Sequence, residues 1–206
     1  MTALALLARG VQAQPASPFD EVGRFYVQNF GPEDYGGHTQ NWAITQAPNG
    51  LSYIANSEGV LEYDGVSWHL IPVSNRSIGR SLATDDQGRV FVGAVGELGY
   101  LASDSSGRMR YVSLVEHIPE GDRTFADIWS IDDTGDGLYF RTYERLFRWN
   151  GRAMKVWRPE QRFLQSFGVR DTLYVQQTGI GLMRMDDDAL RMAPGGGLFQ
   201  GPGTRI

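Results

Sequence analysis

Residues Asn49 to Ile71 read NGLSYIANSEGVLEYDGVSWHLI. A turn at Pro48-Asn49-Gly50 leads into a strand-like run, Leu51 to Ala55, and a second turn spans Asn56 to Gly59. An alternating run from Val60 to Tyr63 then meets an Asp64-Gly65 reversal, and a third run carries Trp68, Leu70 and Ile71. Period-2 patterning turns one set of side chains inward, and Gly, Asn and Asp supply the positive φ of tight reversals. The stretch predicts an antiparallel up-and-down meander.

The same pattern returns along the chain. Gly50 and Tyr53 recur 38 residues on as Gly88 and Phe91, within TDDQGRVFVGAVGELGYL from Thr84. Tyr53, Tyr63, Asp64 and Gly65 recur 86 residues on as Tyr139, Trp149, Asn150 and Gly151. A looser copy, RDTLYVQQTGIGLMRMDDD from Arg170, places Tyr174 35 residues after Tyr139. Four copies near 40 residues apart predict an all-β fold, a β-propeller with one four-stranded antiparallel blade per copy. A solenoid of sheets is the competing architecture; turn-rich, aromatic-rich repeats without helical period favour the propeller. The repeats are expected at 38–73, 77–116, 125–160 and 162–198, followed by a tail at 199–206.

Ahead of the repeats, residues 1–13 (MTALALLARGVQA) hold a short apolar core and end in Val11-Gln12-Ala13. This resembles the hydrophobic region and cleavage site of a secretory signal, although a basic start is missing; a disordered tail is the alternative. Residues 14–37 form an entry segment in which Phe25 and Val27 alternate with Tyr26 and Gln28, the pattern of a strand that would pair with a later element. No run is long enough to span a bilayer, which takes roughly 20 apolar residues.

The formal net charge of −5 and pI near 5.2 leave no basic footprint for nucleic acid. With no cysteine, disulfides and thiolate metal sites are excluded from these residues. His38, His69 and His117 lie far apart in the repeat frame, which argues against zinc or a histidine catalytic pair. Asp132, Thr134, Asp136 and Gly137 stand at positions one, three, five and six of a calcium-loop spacing, but Tyr143 occupies position twelve, where a bidentate Glu belongs. A structural turn is the expectation there. No nucleophile elbow and no phosphate-binding glycine loop occur, so no catalytic constellation, metal or cofactor is expected.

Trp42, Trp68, Trp129, Trp149 and Trp157 are candidates for a sugar-stacking platform, but aromatic burial between blades is the expected use. Geometry singles out one further set. The innermost strand of a blade begins near the mouth of the central channel, and repeat alignment puts Asn41, Arg80, Asp127 and Gln165 there. Four polar residues around one axis suit a small polar ligand, and equally a solvated loop.

The stretches Gln40 to Val73 and Ser77 to Leu101 resemble the two-component-regulator propeller repeats of bacterial receptor sensor regions. The resemblance rests on Asn49-Gly50, Tyr53, Gly59-Val60-Leu61 and Tyr63-Asp64-Gly65, with Glu97-Leu98-Gly99-Tyr100-Leu101 in the second copy. The third copy departs with Trp149-Asn150-Gly151, and the fourth with Met185-Asp186-Asp187 and no following glycine. The resemblance implies a periplasmic sensor, the N-terminal part of a larger, seven-bladed or double propeller. A membrane helix and a kinase, cyclase or DNA-binding output would follow, and the whole receptor would be a homodimer. Its ligand would be a small molecule or glycan fragment. A secreted scaffold and a polysaccharide-active enzyme are the alternatives.

Overall fold

In the computed structural model, residues 27–201 and residue 204 are described. The expected signal at 1–13 and the first part of the entry segment lie outside them.

Each repeat folds into one antiparallel sheet whose strands follow chain order. The first blade comprises β1 (Asn41–Gln46), β2 (Ser52–Asn56), β3 (Gly59–Tyr63) and β4 (Trp68–Ile71). The second comprises β5 (Gly79–Thr84), β6 (Val90–Ala94), β7 (Glu97–Ser103) and β8 (Met109–Ser113). The third holds β9 (Ser130–Thr134), β10 (Gly137–Arg141), β11 (Leu146–Trp149) and β12 (Met154–Trp157). The fourth holds β13 (Phe163–Val169), β14 (Thr172–Gln177), β15 (Gly181–Asp186) and β16 (Ala189–Met192). First strands neighbour one another, β1 beside β5, β5 beside β9 and β9 beside β13, so they line a common axis while later strands lie outward. These are four blades of a β-propeller.

The turns follow from their residues. Asp64 Oδ1 accepts from the amides of Val66 and Ser67, and Gly65 takes φ 97°. In the third blade Asn150 Oδ1 accepts from Arg152 and Ala153 while Gly151 takes φ 87°, so the departure to Asn keeps the same side-chain-capped turn. In the fourth blade Asp187 and Asp188 form the two-residue loop between β15 and β16, both at positive φ. Aspartate tolerates that region, which explains how the hairpin closes without glycine.

Burial lies between blades rather than within them. Tyr53, Val60 and Ile71 of the first blade pack on Val90, Val92 and Leu101 of the second. Phe91 and Leu98 meet Phe140, Phe147 and Trp149 across the next interface, with the Phe91 and Phe140 rings edge to face at 6.2 Å. Tyr139 and Leu146 meet Phe163, Leu173 and Val175 across the third. Because both faces of a middle strand are covered, β6 is buried throughout its length.

The entry segment differs from the expected strand. Val27 and Gln28 belong to no strand, and Phe25 and Tyr26 lie outside the described residues. A one-turn helix, α1 (Pro32–Tyr35), instead sets Tyr35 with Phe30 against Trp68, Leu70 and Leu61 on the first blade. The physical reason is Gly31-Pro32: proline at the first helical position favours a helical turn, and Gly36 at φ 65° closes it.

Candidate ligand site at the channel mouth

At the beginnings of the inner strands, Arg80 is the hub. Its Nε donates to Asp127 Oδ1 at 2.5 Å, and its guanidinium carbon lies 3.8 Å from the ring centre of Trp42 and 5.0 Å from that of Trp129. One residue each from the first and second blades and two from the start of the third thereby converge. Asp127 is positioned by backbone: it bridges Val95, and the amide of Ile128 donates to Ala94 O. The Ser81 hydroxyl donates to Ile128 O, clamping this linker to β5. Arg80 Nη1 is buried without a hydrogen-bond partner.

Beside Trp129 lies a cavity of about 180 Å³ lined by Trp129, Arg141, Tyr143, Leu164 and Gln165. The Trp129 and Tyr143 rings stand 5.7 Å apart. Arg141 closes β10 opposite Ser130 and is only 5% exposed. Its Nε donates to Ser130 Oγ at 3.0 Å; that hydroxyl pairs with Ser166 at 2.7 Å, and Ser166 donates to Asp132. Burial lowers the Arg141 pKa, opposed by the charge of Asp132. Burial likewise raises the Asp132 pKa, opposed by the bonds from Ser166 and the Gly168 amide. Arg141 Nη1 and Gln165 Oε1 are both buried and unpartnered.

Of the four residues singled out by alignment, Arg80 and Asp127 meet directly, and Gln165 borders the adjacent cavity. Asn41 is occupied elsewhere: its Oδ1 accepts from Asn56 Nδ2, part of a knot that also holds the backbone of His38. Trp129, Arg141 and Tyr143 escape repeat alignment. The available signal was a polar residue ending an otherwise apolar strand, Leu138-Tyr139-Phe140-Arg141.

The other tryptophans divide. Trp149 is buried in the core between the second and third blades, and Trp157 and Trp68 pack against cores. The expectation of burial between blades fails for Trp129, which lines the cavity, and for Trp42, which is 38% exposed because β1 is largely exposed along its length. Asp136 accepts from Thr134 and Tyr139 and pairs with Arg148, so the calcium-like spacing folds into a self-satisfied turn. Among the described residues, no three His, Asp or Glu side chains cluster as metal ligands. No helix among them is long and apolar enough to cross a membrane.

No family model matches the sequence, and no curated protein sequence matches it either. Solved structures do. The chain is similar to the extracellular domain of a B. thetaiotaomicron hybrid two component system, BT4673, at 18% identity and TM-score 0.53, covering 71% of this chain and 20% of that one. It is similar to that of a second such system, BT3049, at 16% identity and TM-score 0.55, covering 82% and 24%. It is also similar to a catalytically inactive virginiamycin B lyase from Staphylococcus aureus with Quinupristin, at 12% identity and TM-score 0.56, covering 84% and 60%. This chain thus spans under a quarter of each of these two component system chains. At such identities the likeness speaks for the fold, which extracellular domains of two component systems and an enzyme share.

Proposed function

We propose that this chain is the ligand-binding part of an extracytoplasmic sensor propeller in a bacterial transmembrane signalling receptor. The observation that carries the reading is the channel mouth, where Arg80, Arg141 and Gln165 each bring a buried, unpartnered polar atom beside Trp42, Trp129 and Tyr143. Unmet hydrogen-bonding capacity beside aromatic rings is what a small polar ligand requires, and leaving such groups unmet costs roughly 1–3 kcal/mol each. Support comes from the propeller-repeat motifs and from the fold likeness to extracellular domains of two-component systems. In this reading the protein is exported, and membrane attachment, output domain and dimerisation belong to other parts of the receptor.

The test is a thermal-shift and tryptophan-fluorescence screen of the purified chain against neutral and acidic mono- and oligosaccharides and small metabolites. At least one compound class raises Tm and changes the emission, and both effects vanish in Trp129→Leu. A screen in which nothing binds, with the chain forming stable dimers through a sheet face, supports the scaffold reading instead. Turnover of a bound compound supports an enzyme.

A further inference from the structure

The last residue of the second strand is polar in three of the four blades: Asn56, Arg141 and Gln177, against Ala94 in the second. All three are buried. Two of them are consumed by backbone. Asn56 Oδ1 accepts from His38 and Glu58, and Gln177 Oε1 accepts from Glu160 and Gln161. Arg141 caps nothing: one nitrogen is bonded to Ser130, Nη1 has no partner, and among the described residues no carboxylate lies within ion-pair distance of it. Asp127, the nearby acid at the mouth, is paired with Arg80. The cavity therefore carries a buried positive charge whose nearest compensation, Asp132, stands behind two serine hydroxyls.

Resting on the sensor reading, and deepening it, we infer that the channel mouth binds a carboxylate carried on a hydroxylated six-membered ring. The carboxylate meets Arg141 and a ring hydroxyl donates to Gln165 Oε1, both buried groups reached by rotation about the terminal side-chain torsions; the ring lies against Trp129 and Tyr143. Carboxylate suits a guanidinium because their geometries match, and a charge-assisted bond is roughly twice as strong as a neutral one. Size sets the other limit. A cavity of about 180 Å³ takes a single ring, below the roughly 300–1,000 Å³ of sites for larger ligands. Two sources share this chemistry, a hexuronic acid and a hydroxylated aromatic acid.

The test is calorimetric titration of the purified chain with galacturonate, glucuronate, 4-hydroxybenzoate and neutral galactose. At least one of the three acids binds and galactose does not, and the tighter class of acid identifies the source. Arg141→Lys keeps the charge but loses the fork, and weakens binding about 10-fold or more, the worth of one charged hydrogen bond. Gln165→Leu, which leaves Arg141 and its serine network in place, weakens binding independently. Arg110→Lys, on the outer strand β8, leaves binding unchanged. Binding of galactose with equal affinity, lost in Trp129→Leu, overturns the carboxylate assignment but leaves the sensor reading standing. Acid binding that ignores both Arg141→Lys and Gln165→Leu places the ligand elsewhere and overturns the inference. If none of the four probes binds while another compound binds in a Trp129-dependent way, the inference fails alone; if nothing binds at all, it fails together with the sensor reading.

Discussion

Gly59 shows how closely single residues are specified. Its φ of 137° is a conformation open essentially to glycine, and a Cβ placed there would stand 2.4 Å from Ile71 O. Gly59→Ala is therefore expected to destabilise the chain by about 1–3 kcal/mol, read as a lower urea midpoint at unchanged slope. Asp187 makes the opposite case. At φ 47° it occupies left-handed space that aspartate tolerates and a β-branched residue does not. Asp187→Val should cost about 1–2 kcal/mol while Asp187→Asn stays near neutral, measured in the same denaturation series. The turns were legible because their chemistry is local: Asp64, Asn150 and the paired glycines write it into four adjacent residues. Arg141 was not, since its meaning depends on being, among the buried second-strand ends Asn56, Arg141 and Gln177, the one that caps no backbone.

Among elements, the strands differ in what their sequence discloses. Middle strands such as β6, buried along both faces, read as continuous apolar runs, and the hairpins beside them follow from turn spacing. Inner strands gave weaker signals. β1 alternates exposed and half-buried positions because Thr45 faces the second blade, where it bonds to Thr84, while Ile44, at 73% exposure, points to the opposite face. The entry segment illustrates the same limit: Phe30 and Tyr35 cover Trp68, a contact distant in sequence. The packing predicts a contrast that mutagenesis can check. Phe140→Ala, at a fully buried position on the interface between the second and third blades, should cost about 3–5 kcal/mol. Ile44→Ala, on the exposed inner strand, should change stability by no more than about 0.5 kcal/mol.

Over the whole molecule, the repeat period announced four blades and their order, and the structure arranges them about one axis. Of the residues that repeat alignment puts together, Arg80 and Asp127, 47 positions apart, form an ion pair. What alignment missed, Trp129, Arg141 and Tyr143, lines one cavity from three places in the third blade: just before β9, at the end of β10 and in the loop after it. Convergence of blades, rather than any local motif, builds the site. Fold likeness shared by extracellular domains of two component systems and a lyase leaves the choice among functions to that site.

The most direct measurement is a crystal structure of the chain with the tightest compound from the screen. Density for it among Trp129, Arg141, Tyr143 and Gln165, with a ligand oxygen bonded to the Arg141 guanidinium, is the predicted result. Density at a blade edge or on the outer strands, with the channel mouth unchanged, would contradict the account.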